Sequence, residues 1–250
     1  MRLKLFKKEI IELCKTPRGW ILLLLFIGFS LVNAALARYT PEILAKFGDL
    51  GINIPPATFY DSYIQFYKNM NSGVLIAVII IYMTTVTREV KKGTIYLILT
   101  KDITRNNYLM SKYVAANLFF TLSYIIASII QIAMTALFFS SYYTSEILPG
   151  YIVFYLFGLF LLNTVIACSA SYKSGGIGAF VGFFILLISP YISLIPVVGK
   201  YTPGALANFP VNFLMKSADF NDIIAAVMIT AALMFLIIYL SFMKFNKREL

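Results

Sequence analysis

The 250 residues predict an all-α membrane protein that crosses the bilayer six times. Three observations carry this. The chain is 60% apolar and only 13% charged, against about 25% charged residues in an average soluble chain. The apolar residues come in six continuous blocks, each near the roughly 20 residues that a helix needs to cross the hydrocarbon. The basic residues sort onto alternate loops, as polytopic proteins require. An open sheet would leave its edge unsatisfied in lipid, and the blocks lack the alternation of an outer-membrane barrel.

The elements follow in order. Residues 1–19 read as an amphipathic helix, with Leu3, Phe6, Ile10 and Leu13 near one face and Lys4, Lys7, Lys8, Glu12 and Lys15 around the rest. A basic helix of this kind lies on an anionic leaflet, and Pro17 and Gly19 break it before the first span. The spans are expected at Trp20–Leu36, Met70–Val86, Tyr113–Phe139, Tyr151–Ala170, Ile177–Val198 and Ile223–Phe242. Residues 37–69 read as a long, aromatic, nearly neutral outer loop. The segment 199–222 is too apolar for a free loop; it reads as an interfacial or re-entrant helix. Pro190 and Pro196 break or kink the outer half of span five. The organisation is one transmembrane domain, 1–250: the helix 1–19, the bundle 20–242 with a loop at 87–112, and a tail at 243–250.

Sixteen of the 21 Lys and Arg fall on one set of loops and five on the other. That asymmetry predicts both termini in the cytoplasm. It also reads the net charge of +10 as an orientation signal and not as a nucleic-acid surface. A second reading takes Ala35-Leu36-Ala37 as a signal-peptide cleavage site, although the preceding apolar run is long for that role. Histidine is absent, and Cys14 and Cys168 stand far apart, so no metal site or disulfide framework is expected. No Asp, Glu, Lys or Arg lies deep in the six blocks, which argues against ion-coupled carriers and intramembrane proteases. The polar residues within spans (Asn33, Thr84, Thr85, Asn117, Gln131, Asn163, Thr164) are expected to bond between helices or to their own backbone. The chain has no phosphate loop; Lys173-Ser174-Gly175-Gly176 has its letters in the wrong order and reads as a tight turn. The chain is therefore not expected to be an enzyme.

Residues 89–112 are unusual for a connection. Glu89, Gly93, Thr94, Leu99, Thr100, Thr104, Arg105 and Lys112 fall in a fixed register within a basic segment. Ile95, Ile98 and Leu99 stand at i, i+3, i+4, so a short helix there carries an apolar ridge, expected to be covered by no other part of the chain. Gly93 permits a tight turn before it; Thr94 either caps it or sits with Gly93 in its first turn. Glu89 has Arg88, Lys92 and the basic residues of the N-terminal helix as candidate partners.

This pattern resembles the loop between spans two and three of ABC-2 type ABC transporter permeases, with Asp102 standing where that family carries Pro. The resemblance covers about a tenth of the chain. It implies the membrane subunit of a bacterial, plasma-membrane exporter. A separate ATP-binding cassette chain would bind the ATP and magnesium, and a second permease copy or homologue would complete a dimer. Glu89, Gly93, Thr94, Ile95, Ile98, Leu99 and Arg105 become the ATPase-coupling residues. Tyr82, Thr84 and Thr85 of span two, with Gly178 and Gly182 of span five, become candidates for the substrate path. Close helix packing is the alternative for the glycines. The family's re-entrant helices match the segment 199–222. An uncharged, aromatic interior suits an amphipathic or hydrophobic substrate such as a peptide toxin, bacteriocin or phenol-soluble-modulin-like peptide. The alternatives are a secondary carrier or channel for ions or solutes, and a non-transporting immunity or assembly protein.

Overall fold

The computed structural model describes residues 3–47, 55–100, 103–195, 197–215 and 220–248. Among these there is no strand, and six helical segments are long and apolar enough to span a membrane. Helix α1 (Leu3–Lys15) leads through a one-residue break at Thr16 into α2 (Pro17–Phe47). Pro17 opens α2, where its missing N–H costs nothing. Gly19 lets α1 fold back: a Cβ there would meet the Leu13 carbonyl oxygen at 1.9 Å. Helix α2 runs unbroken through Ala35-Leu36-Ala37.

The second span differs most from expectation. It starts at Phe59, not Met70, and extends as one 33-residue span to Lys91. Its parts are α3 (Phe59–Asn69), a π-helical turn at Met70–Val74, α4 (Leu75–Tyr82), an irregular turn, and α5 (Thr87–Lys91). Asp61 stabilises its start by accepting from the Thr58 N–H at 2.8 Å, a helix-entry bond of known value. Much of the expected aromatic loop is therefore core: Tyr63, Phe66 and Tyr67 are buried. Tyr63 and Phe66 set their rings edge-on to Tyr151, and Phe66 and Tyr67 do the same to each other, a favourable aromatic geometry.

A short helix, α6 (Thr94–Leu99), precedes α7 (Arg105–Phe138), which begins two turns before the apolar block. Thr104 caps α7 by accepting from the Asn107 N–H at 3.3 Å. Then come α8 (Ile147–Ser171), α9 (Gly175–Ile192), a 3-10 turn at Gly199–Tyr201, α10 (Pro203–Leu214) and α11 (Phe220–Lys247). The most enclosed span is α8; it forms the centre of the bundle. Pro190 sits inside α9, near its end, and Pro196 lies outside the described residues, as does Asp102. Helix α10 is no free interfacial helix. It buries Leu206, Phe209 and Leu214 and anchors to the end of α9 through Asn208, which donates to the Pro190 carbonyl at 2.9 Å.

The polar residues inside the spans are bonded largely as expected. Asn117 and Asn163 exchange amide hydrogen bonds at 2.8 and 2.9 Å, fastening α7 to α8. Gln131 donates to Ser62 at 2.8 Å, joining α7 to α3. Thr164 donates to the Phe160 carbonyl, and Asn69 of α3 to Asn33 of α2. Glycines close the contact between α9 and its neighbours. A Cβ on Gly178 would touch the Val165 carbonyl oxygen and Met83, and one on Gly182 would meet Val165 and Ile79 at 2.9 and 3.0 Å. Helix α1 and the end of α11 lie at one end of the bundle. There α1 pairs with the start of α7, and the start of α7 with the end of α11.

Candidate functional site

The end of the bundle that holds α1 and the end of α11 contains the densest chemistry. The turn from α5 to α6 is made at Gly93, whose φ of 69° lies in the left-handed region open to glycine without a Cβ clash. Thr94 is the first residue of α6. Its hydroxyl does not cap that helix; it donates back to the Glu89 carbonyl at 3.3 Å.

The turn aims α6 so that Ile95 enters the core with no exposed surface, while Ile98 and Leu99 are half-buried against it. This corrects the expectation of an uncovered ridge at Ile95, Ile98 and Leu99. The outward side chains are Tyr96 and Leu97, the latter 68% exposed. The spacing marked one apolar stripe correctly but could not say which face the rest of the chain would cover, because Tyr96 and Leu97 are apolar as well.

Glu89 is the hub of an ion network. Its carboxylate accepts from Lys112 of α7 at 2.6 Å, from the Tyr108 hydroxyl at 2.6 Å and from Lys8 of α1 at 3.2 Å. Lys112 also pairs with Glu9 of α1 at 2.6 Å, and Lys8 reaches Glu9 and Glu12 at 2.9 and 3.0 Å. Of the candidate partners, the N-terminal helix supplies one; no ion pair joins Glu89 to Arg88 or Lys92 among the described residues. Oxygens of Glu9, Glu12 and Glu89 lie within 4.8 Å of one another, and the two lysines are what lets them. Lys112 is 4% exposed, Glu9 6% and Glu89 13%, so the inner pairs are shielded from water and little screened by salt. Burial works against the Lys8 ammonium, but Glu9 and Glu89, helped by the bonds to Glu9 and Glu12, outweigh it and hold its pKa above the ordinary lysine value.

Glu9 and Lys112 were less legible. Glu9 sits beside the apolar stripe of α1, and Lys112 precedes an apolar block. Their opposite charge on two segments otherwise destined to pack was the available signal.

Arg105 serves a different contact from Glu89. Its guanidinium donates to the carbonyls of Phe245, Asn246 and Arg248 at 3.4, 2.9 and 2.7 Å, closing the end of α11. Arg248 reaches on to the Ala170 carbonyl at the end of α8, at 2.8 Å. Phe245 stacks on Tyr108, so the α11 end also touches the Glu89 network.

A cavity of about 490 Å³ opens beside this network, between α1, the start of α2, the end of α4, α5, α6 and α7. Tyr82 and Thr85 line it. Thr84, Gly178 and Gly182 do not; Gly175 packs against Thr84, and the other two glycines sit in helix–helix contacts. Two of the five path candidates are thus brought to one cavity and three are held in packing.

The fold and this site define an all-α polytopic membrane protein with a charged, tightly bonded crossing of α1, α5 and α7 at one end. No known family model and no curated protein matches the chain.

Proposed function

We propose that the chain is the membrane-spanning subunit of an ATP-driven ABC exporter. In this reading the end bearing α1 and the end of α11 faces the cytoplasm of a bacterial cell, and a separate ATPase chain docks on α6 and α1. The observation that carries it is the pose of α6. Ile95 pins the helix to the bundle and Gly93 sets its angle, while Tyr96 and Leu97 are left facing outward. Exposed aromatic and aliphatic side chains on a rigid support are what a partner groove needs. The Glu89–Lys112–Glu9 network supports the same reading, because it makes α1, the end of span two and the start of α7 one mechanical unit beneath the docking helix. A push on α6 would reach α11 and α8 through Arg105 and Arg248.

Within one copy, Gly178 and Gly182 close the contact of α9 with span two and α8. The path is accordingly proposed to form between two copies of the chain, or one copy and a homologue. A passage of this composition would take an amphipathic or hydrophobic substrate, such as a peptide.

Co-expression with a phosphate-loop ATPase encoded beside the chain tests the proposal. The wild-type pair should co-purify and hydrolyse ATP faster with substrate. The Tyr96→Glu/Leu97→Glu variant should lose the ATPase while remaining folded. Glu89→Gln should keep the ATPase and lose the stimulation. Full capture and stimulation by both variants would overturn the reading.

A further inference from the structure

The cavity beside the Glu89 network carries more positive charge than its own carboxylates neutralise. Lys8 and Lys112 are engaged by Glu9, Glu12 and Glu89. Arg18, Arg88 and Lys92 also line the cavity, and among the described residues none of the three has a carboxylate at ion-pair distance. Burial and then the Arg88 charge push the Arg18 pKa down, and Glu12 offsets this in part. Like charges along one cavity wall favour an anion that sits between them.

A second observation concerns Tyr82. It belongs to the same wall, is 1% exposed, and its hydroxyl has no hydrogen-bond partner. A buried tyrosine hydroxyl usually finds one, so unsatisfied polarity lies in the wall beside the basic residues. Beside Tyr82 that wall carries Thr85 and the apolar Ile81, Ala115 and Ala116.

We propose that this cavity binds a phosphate-headed anion, with the phosphate between Arg18, Arg88 and Lys92 and a less polar portion against Ile81, Tyr82 and Ala115. Guanidinium groups match phosphate oxygens with two parallel hydrogen bonds, and the lysine adds a point charge. The volume suits a head group or small ester. Two sources share this chemistry: an acidic phospholipid and a soluble phosphate ester or ion. The surroundings favour the lipid. Immediately after Arg18, helix α2 exposes Trp20, Ile21 and Leu24, an apolar strip along which acyl chains can run, with a tryptophan of the kind that anchors at the membrane interface. This inference does not depend on an ATPase partner or on export.

The test uses the full chain in neutral detergent and follows its thermal midpoint, since a ligand that binds only the folded state raises it. Phosphatidylglycerol, phosphatidylcholine and inorganic phosphate are titrated separately at fixed ionic strength. Phosphatidylglycerol should raise the midpoint and phosphatidylcholine should not. Arg18→Gln/Arg88→Gln should raise the half-saturating phosphatidylglycerol concentration at least tenfold. Lys91→Gln, on an exposed neighbour outside the cavity wall, should change it less than twofold. Because Arg18 is half-buried, Arg88→Gln alone, at an exposed position, is read if the double variant does not fold, and it should show a loss of at least threefold. If inorganic phosphate reproduces the shift and loses it in the same variants, the site stands with a soluble occupant. Equal shifts with both lipids, or equal losses in Arg88→Gln and Lys91→Gln, would overturn the proposal.

Discussion

Lys112→Met isolates what the ion network contributes to the fold. The Lys112 ammonium lies 2.6 Å from both Glu9 and Glu89 and is 4% exposed. Without it, two shielded carboxylates are left close together with only Lys8 between them, and Lys8 is itself 42% exposed. Removing one partner from a buried ionic cluster costs about 3–5 kcal/mol. For a chain of about 250 residues each kcal/mol shifts the midpoint by about 2–4 °C, so the expected fall is about 6–20 °C. Lys8→Met removes more contacts but a more exposed charge, worth about 0–1 kcal/mol, and should lower the midpoint by no more than about 4 °C. Adding Glu9→Gln to Lys112→Met should recover part of the loss, because Glu89 then keeps Lys8 and Tyr108. Thermal unfolding of the detergent-solubilised variants, followed by circular dichroism, reads all of this. Equal losses for Lys8→Met and Lys112→Met, or a further loss on adding Glu9→Gln, would refute the argument that burial decides the value of these pairs.

Gly182→Ala should destabilise by about 1–3 kcal/mol, because the added methyl meets the stiff Val165 and Ile79 side chains at 2.9 and 3.0 Å. Gly28→Ala, which meets nothing within 4 Å, should be neutral or slightly stabilising in the same melt. The Lys8 pKa is raised in the fold, so its contribution is complete below the unfolded-chain value near ~10.4 and is lost as the pH climbs through the folded one. The midpoint difference between wild type and Lys8→Met should therefore stay flat from about pH 6 to about pH 9 and shrink at more alkaline pH.

The six crossings were legible because hydrocarbon thickness demands long apolar blocks, and those of α2, α7, α8 and α11 contain no interruption. The glycine turn at Gly93 was legible too, since few other residues accept its φ. The start of span two was not. Asp61, Gln65 and Lys68 break the apolar run between the tyrosines, and a window counting hydropathy discounts Tyr beside Ile or Leu. Only packing against α2, α7 and α8 shows that Tyr63, Phe66 and Tyr67 are interior. At the site, the sequence pointed to Glu89 and to a basic partner on α1, which is Lys8, but not to the Lys112–Glu9 pair. Lys112 and Glu9 lie far apart in the chain, and α1 reaches α7 only because the break at Thr16 turns it back. The family resemblance groups Arg105 with Glu89, whereas space assigns it to the end of α11.

The π-helical turn at Met70–Val74 sets the rotation of everything that follows it in span two. A uniform α-helix advances 100° per residue, so the interior positions Tyr63, Tyr67 and Met70 would point nearly a quarter turn away from Val78, Tyr82 and Val86. One surplus residue in the wide turn cancels that offset, and both stripes stay buried. Side chains in this stretch are thus exchangeable where space allows, but its length is not. Losing a single residue would swing either the aromatic half into lipid or Glu89 away from Lys112.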